Sequence, residues 1–162
     1  MRRLLLCMSF IAVAGSALSQ TNCNIKNAHA FYSISMPGAQ MADEQGNPVP
    51  PKPNISRLMY IEYSGTKAPE ISAISYNNIA MHYTTVQVKK RTVFIGDRAF
   101  NPKNSITAKK GNSFIQVILQ PQEGTILPDV ECKSIIVKSK LGKKRCVFYI
   151  STEKEFVSAP AY

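Results

Sequence analysis

The sequence contains no tryptophan, only two histidines, and eight glycines that are spread singly along the chain. Without tryptophan it lacks the ring that packs on the inter-sheet disulfide of a true immunoglobulin domain. Isolated glycines exclude a glycine-rich phosphate-binding loop. His29, His82 and four scattered cysteines lack the short spacings of metal ligands. We therefore expect no metal site and no cofactor.

Recognisable catalytic motifs are also missing from the sequence. There is no Gly-x-Ser-x-Gly nucleophile elbow and no His-Glu-x-x-His zinc motif. Paired carboxylates can hydrolyse glycosidic bonds, but Asp129 with Glu131 and Glu153 with Glu155 lie in segments poor in the aromatic residues that grip a sugar. Both histidines alternate out of phase with apolar neighbours, which favours the solvent face. We expect no enzymatic activity and keep a small secreted hydrolase as an alternative.

Charge in this chain is predominantly of one sign. Twenty Lys and Arg residues against ten Asp and Glu residues give a formal net charge of +10. Hydrophobic residues make up 44% of the chain and charged residues 19%, which excludes a disordered chain for the bulk of the sequence. A length of 162 residues is enough for one domain with a substantial core.

The first 19 residues are typical of a cleaved export signal. Arg2 and Arg3 precede an apolar run, and Ala17 and Ser19 place small residues at the positions expected before a cut at Gln20. The run is shorter than the roughly 20 apolar residues that cross a bilayer. We therefore predict a cleaved signal peptide at 1–19, a secreted or periplasmic protein, and no membrane span after cleavage.

Apolar residues beyond the signal recur mostly with a period of two, which indicates β-strands. No window shows an apolar stripe at helical spacing. Short strands separated by turns predict one all-β domain over 20–162. Its fold is an antiparallel β-sandwich, immunoglobulin-like in architecture but not a true immunoglobulin domain, with an open β-barrel as the alternative. The predicted strands are 28–36, 57–63, 71–76, 79–88, 92–95, 105–108, 113–120, 133–138, 145–151 and a weak 155–157.

Three local features of these strands can be predicted. Asn77-Asn78 is a natural turn, because Asn tolerates positive φ. Apolar residues change phase near Thr84-Thr85, which predicts a β-bulge. The segment Lys109-Lys110-Gly111-Asn112 has the turn residues of a hairpin and would join strand 105–108 to strand 113–120.

The segment 37–55 contains five prolines and cannot pair as a central strand. Its piece 48–53 favours polyproline II, which is a stiff and exposed conformation. We interpret 37–55 as a crossover loop between strands. The alternative is a docking ridge for a partner in the cell envelope.

Signal cleavage leaves three cysteines, Cys23, Cys132 and Cys146, so at least one thiol is free or intermolecular. A turn at Leu141-Gly142 would place Val137 opposite Cys146 and put Cys132 well beyond the reach of a bridge to it. Cys23 is therefore expected to pair with Cys132 or Cys146, unless no disulfide forms.

Basic residues form three clusters, each at a predicted strand end or turn. If these turns share one end of the fold, the cations converge and attract an anionic polymer or an acidic partner. The alternative is that lysines at turns and edges only maintain solubility and block edge pairing. The ten candidate anion-binding residues are Lys89, Lys90, Arg91, Lys109, Lys110, Lys138, Lys140, Lys143, Lys144 and Arg145.

These observations together favour an exported, non-catalytic protein that acts in binding or structural support at the cell envelope. The expected partner is an envelope protein or an anionic polymer, and the basic clusters define a cationic module as the second hypothesis. Nucleic acid is not expected, because the basic clusters lack interleaved aromatic residues for base stacking.

Overall fold

The computed structural model of the protein describes residues 23–35, 41–49, 54–96, 104–121 and 132–156. These ranges contain twelve β-strands and no helix, which confirms the all-β prediction. The predicted signal peptide at 1–19 lies outside the described residues. The strands are β1 (Ile25–Ser35), β2 (Met41–Ala42), β3 (Pro48–Val49), β4 (Asn54–Ser64), β5 (Glu70–Tyr76), β6 (Ile79–Val88), β7 (Thr92–Phe94), β8 (Ser105–Thr107), β9 (Asn112–Pro121), β10 (Ile135–Leu141), β11 (Lys144–Ile150) and β12 (Glu153–Glu155).

Eight of these strands form one curled sheet in the order β11-β10-β5-β6-β9-β4-β1-β12. Neighbours are antiparallel except β1 and β12, which pair in parallel, so the sheet is mixed. Its curl makes a half-barrel, which is consistent with both the sandwich and the open barrel expected from the sequence. The predicted turn at Asn77-Asn78 joins β5 to β6, and both residues adopt positive φ.

The larger core fills the inside of the curl. Alternate residues of the central strand β4, Met59, Ile61 and Tyr63, point into it together with Ile135 and Val137 of β10. Each side chain of this kind, when fully buried, stabilises the fold by about 1.5–3 kcal/mol. The period-two pattern of the sequence therefore defines the inner face of the sheet.

A second, smaller core lies on the outer face of the sheet, beneath the hairpin of β7 and β8. Tyr60 of β4 and Phe114 of β9 pack edge to face, with ring centroids 6.1 Å apart. Ile95 and Ala108, which flank the hairpin, are buried against them. β4 is therefore buried on both faces over much of its length.

The β-bulge predicted near Thr84-Thr85 is wrong. β6 keeps one continuous register with β9 from Met81 to Val88. Met81 belongs to the inner core, whereas Val88 packs against the outer core. The apolar phase changes because the strand passes from one buried face to the other, without an inserted residue.

The predicted hairpin of 105–108 with 113–120 is also wrong. The turn itself forms, with Asn112 N donating to Lys109 O at 3.0 Å. However, β8 pairs with β7, whereas β9 pairs with β4 and β6. Ala108 is buried in the outer core, so the chain leaves the plane of the sheet there.

The β10–β11 hairpin turns at Gly142-Lys143, one residue later than predicted. Gly142 has a φ of 62°, which a residue with a side chain rarely adopts. Cys146 consequently pairs with Ser139 instead of Val137.

Cys23 forms a disulfide with Cys146 of β11, with 5.7 Å between the two Cα atoms. This is one of the two pairings that the sequence left open. Cys132 is a free, half-buried thiol. The bond ties the edge strand β11 to the residue two positions before β1.

The proline-rich segment 37–55 is described only in part. β2 and β3 form a small hairpin, in which the Asp43 carboxylate accepts hydrogen bonds from Gln45 N and Asn47 N at 2.9 and 2.8 Å. Pro48 and Val49 belong to β3, and the last two residues of the segment belong to β4. Residues 50–53, most of the predicted polyproline II piece, lie outside the described residues.

Candidate anion-binding end

Strand directions place many turns at one end of the sheet. β4, β6 and β10 run in the same direction, because β9 lies antiparallel between β4 and β6, and β5 between β6 and β10. The last residues of these strands, Ser64, Val88 and Leu141, therefore lie at one end, where β1, β5, β9 and β11 begin. We call it the basic end.

All ten cations predicted from the sequence lie at the basic end. Each of these cations lies either in a turn next to a strand end at the basic end or in a strand within three residues of such an end. Lys89, Lys90 and Arg91 follow β6, Lys109 and Lys110 precede β9, and Lys138, Lys140, Lys143, Lys144 and Arg145 occupy the β10–β11 hairpin. The sequence predicted a cationic module only if these turns share one end of the fold. The strand topology meets that condition.

Two hydrogen bonds bring the first two clusters side by side. Ala108 N donates to Arg91 O at 2.8 Å, and the Arg91 guanidinium donates to Ala108 O at 3.0 Å. Lys109 and Lys110 directly follow Ala108 in the chain. The β7–β8 hairpin therefore returns the chain so that these two lysines lie beside the cluster that follows β6.

Glu62 of β4 holds the turn that carries Lys109. Its side chain is buried, with 4% of the residue exposed, and Oε1 accepts hydrogen bonds from Lys109 N at 2.8 Å and Asn112 Nδ2 at 2.6 Å. A carboxylate that accepts two donors is well satisfied despite its burial. Glu62 thus positions the basic turn, and no sequence pattern marked it.

Two further exposed cations at the basic end were missed by the sequence analysis. Lys26 lies at the start of β1, and Lys67 lies in the loop from β4 to β5. Asn24 steadies this loop, since its side-chain amide donates to Lys67 O at 3.2 Å and to Ser64 O. Each lysine stands alone in the sequence, so clustering gave no signal for either of them.

The basic end is strongly cationic. Twelve of the fifteen lysines and arginines in the described ranges lie there. The described carboxylates at the same end are those of Glu62 and Glu70. Within the described part of the chain the single ion pair joins Arg57 to Glu153, so none of the ten candidate cations has an ion-pair partner among these residues.

That ion pair belongs to a buried polar cluster toward the other end of the curl. Arg57 Nε lies 3.6 Å from Glu153 Oε2, and the side chains are 5% and 4% exposed. Tyr76 donates its hydroxyl to Glu153 Oε2 at 2.8 Å, and the Arg57 guanidinium lies 4.6 Å from the centroid of the Tyr76 ring. Arg57 Nε and Glu153 Oε1 have no hydrogen-bond partner among the described atoms.

Burial dominates the ionisation of this cluster. It raises the pKa of Glu153 above its ordinary value, and the Tyr76 hydrogen bond and the Arg57 charge only partly oppose it. Burial raises the pKa of the Cys132 thiol, and the negative charge of the Glu153 carboxylate raises it further. A thiol of raised pKa is a weak nucleophile at neutral pH. The cluster therefore has the character of a structural element of the core.

The remaining candidates for chemistry do not converge. His82 is exposed, as expected, whereas His29 is half-buried and stacks on Phe31 with ring centroids 6.5 Å apart. Glu153 faces the inner core, and Glu155 is exposed. Asp129 and Glu131 lie outside the described residues. Over the described ranges, no group of three or more His, Cys, Asp or Glu side chains is arranged to hold a metal ion.

Comparison with known proteins adds no relative. No protein-family model matches the chain, and neither the curated proteins nor the solved structures contain a significant match. Among the described residues, no helix has the length and apolar character needed to span a membrane.

Proposed function

We propose that this protein is exported and acts without turnover at the cell envelope, where it binds an anionic polymer through the basic end. Two features support the proposal. The first is the export signal predicted at 1–19, and the second is the convergence of three basic clusters that are far apart in the sequence. The convergence carries the argument, because it depends on strand order and not on composition.

Neighbouring clusters are close enough to act together. Adjacent strands lie about 4.7–4.9 Å apart, so the last residue of β6, Val88, and its partner Phe114 near the start of β9 are separated by less than the Debye length of about 8 Å at physiological salt. The curl and the Cys23–Cys146 disulfide bring β11 back beside β1. The positive potentials of the clusters therefore add, and they attract a polymer with repeated negative charges.

The basic end has the character of a hydrated contact surface. The large hydrophobic residues that are exposed in the described ranges lie outside the turns of the basic end, although Val86 is two residues before the end of β6 there. They are Ile34, Val49, Val86, Phe94, Ile118 and Tyr149. A surface rich in cations without apolar tips suits a water-soluble polyanion better than insertion into a lipid bilayer.

Charge reversal at matched positions tests the proposal. Lys143→Glu with Lys144→Glu changes the basic end, and Lys133→Glu with Lys154→Glu makes the same change of net charge at exposed positions elsewhere. We expect the first pair to elute from immobilised heparin or lipopolysaccharide at distinctly lower salt than the second. Equal elution of the two variants would show that only net charge matters and would refute a localised site.

The export step has its own test. The intact mass and the first residue of the protein recovered from the periplasm or the medium should show a chain that begins at Gln20. Ala17→Asp with Ser19→Asp should abolish the cut, since large charged residues are not accepted at these positions. A full-length protein that stays in the cytoplasm would contradict the envelope location.

A further inference from the structure

One depression in the outer surface lies within the basic end, on the β10–β11 hairpin and the adjacent edge of β5. Its volume is about 390 Å³, within the size range of small-molecule sites. The residues that line it are Ser72, Lys138, Ser139, Lys140, Arg145, Cys146 and Val147.

A β-bulge shapes this depression. Lys138 pairs with Ala73 of β5, but the next residue, Ser139, pairs with Ile71. Ser72 is the extra residue, without a partner in the β10 ladder. Bulges of this kind bend a strand and redirect a side chain, and they are common beside functional sites. The Ser72 hydroxyl is exposed and can donate a hydrogen bond into the depression.

Three cations surround the depression. Lys138 and Lys140 lie two residues apart on one strand, so both face outward, and Arg145 lies directly opposite Lys140. Like charges opposite one another destabilise a sheet. None of the three cations forms an ion pair with any described residue, and Glu70, which pairs with Lys140 in the ladder, is not within salt-bridge distance. A bound anion would relieve this repulsion.

An exposed aromatic ring continues the same surface. Tyr149 is 53% exposed and lies four residues beyond Arg145 on β11, on the same face by alternation. The distance along the strand is about 13 Å. An aromatic face beside a group of cations suits a ligand that carries sugar rings as well as negative charges.

We propose that the outer face of the β10–β11 hairpin is a subsite for one sulfate or phosphate group of an acidic polysaccharide. Lys138, Lys140, Arg145 and the Ser72 hydroxyl hold the oxyanion, and Tyr149 packs against a sugar ring farther along the chain. This inference rests on the proposed function and specifies its ligand. A tetrahedral oxyanion offers several acceptors, which matches three convergent cations and the fork of the arginine.

The affinity for the ligand should then depend on the length of its chain. β5 pairs with β6 only as far as Ile74 and Met81, so the end of β6, with Lys89 and Lys90, lies at least two strand spacings, or about 10 Å, from β10. A short sulfated oligosaccharide occupies the hairpin alone, whereas a long chain also reaches the clusters beyond it. The second contact then acts at high effective concentration and increases the affinity for long chains.

Titration calorimetry with heparin-derived tetrasaccharide and long-chain heparin tests this arrangement, using the exported protein and variants whose intact disulfide and unchanged melting temperature are verified. Lys140→Gln with Arg145→Gln should weaken tetrasaccharide binding by about tenfold or more. Lys89→Gln with Lys90→Gln should leave the tetrasaccharide within about twofold and weaken only the long chain. The control pair, Lys133→Gln with Lys154→Gln, should change neither affinity by more than about twofold.

Single substitutions probe the individual contacts. Ser72→Ala should weaken tetrasaccharide binding by roughly threefold to tenfold, through the loss of one hydrogen bond. Glu70→Gln should strengthen it, because a negative charge beside the anion is removed. Tyr149→Ala should weaken the tetrasaccharide but leave the affinity for inorganic tripolyphosphate unchanged, since that probe has no sugar ring. Phosphorylated and sulfated oligosaccharides of equal length identify which oxyanion is preferred.

The outcomes separate the two proposals. If neither heparin nor a phosphorylated polysaccharide binds, the proposed function itself fails. If long chains bind but the tetrasaccharide responds equally to the hairpin pair and the β6 pair, the function stands and the subsite is refuted. Equal effects of Tyr149→Ala on tetrasaccharide and tripolyphosphate would refute the role of the sugar ring.

Discussion

Cys23 and Cys146, which are 123 positions apart in the chain, are joined by a disulfide. This separation is the same as that of the residues paired between the parallel strands β1 and β12. The strand partners Ala30 and Glu153 are separated by the same 123 positions. The segment from β11 to β12 therefore runs alongside β1, joined by the disulfide to the residue two positions before β1 and by backbone hydrogen bonds to β1 itself. One covalent bond thus links the two sides of the curled sheet near the basic end.

Loss of this disulfide should destabilise the protein by about 3–5 kcal/mol, because it closes a very long loop. Cys23→Ser with Cys146→Ser should lower the urea midpoint and abolish the effect of added reductant. Cys132→Ser, which leaves the bond intact, is the control and should retain the sensitivity to reductant. An unchanged midpoint on reduction of the wild-type protein would mean that the bond does not hold the fold.

The hydrogen bond from Tyr76 to Glu153 should contribute measurably to stability. Tyr76→Phe removes the donor and leaves a buried carboxylate oxygen less satisfied, which should cost about 1–3 kcal/mol of unfolding free energy. Tyr149→Phe removes a hydroxyl from an exposed ring and should change stability little. Equal urea midpoints for Tyr76→Phe and the wild type would contradict this contact.

Glu153 should make stability fall as pH rises above the ordinary carboxyl pKa of 4.5. Because burial raises its pKa in the folded protein, the folded state holds this proton more tightly than the unfolded state, so unfolding free energy decreases with pH in that window. The difference in stability between the wild type and Glu153→Gln should therefore shrink, or turn against the wild type, from pH 4.5 upward. Urea unfolding at several pH values measures it, with Glu155→Gln as the exposed control. A difference independent of pH would disprove the shift.

Glu62 should control the order of the turn at Lys109. The amide hydrogen of Lys109 is bonded to the buried carboxylate and should be protected from exchange in the wild type. Glu62→Ala removes the acceptor, so this amide should exchange faster and the protein should lose about 1–3 kcal/mol of stability. Glu62→Gln keeps an acceptor oxygen and should restore most of the protection. Unaltered exchange in Glu62→Ala would show that the turn orders itself.

The sequence predicted the strands well, because alternation follows directly from the two faces of a strand. It failed where one strand contacts the inner core with one end and the outer core with the other. In β6 the apolar residues move from the inner face at Met81 to the outer face at Val88, a pattern that imitates a bulge. Register shifts do occur at Ser72 of β5 and between Ile25 and Asn27 of β1. The phase change from Ile71 to Ile74, which both contact the inner core, was the signal for the first of them.

The basic end was predictable only in part. The clusters are visible because their members are contiguous, but their convergence depends on strand order, which a single sequence does not encode locally. Isolated contributors such as Lys26 and Lys67 give no signal of their own. The pair of Arg57 and Glu153 was equally hidden, since a buried ion pair between distant strands resembles any other two charges in a sequence.

The pairing of β1 with the last described strand also determines when the fold can be completed. β1 lies between β4 and β12, and β12 becomes available only after Glu153 has been synthesised. A chain that emerges from its amino terminus onward thus leaves its first strand with one open edge until almost everything else is present. Contacts of such large sequence separation slow folding.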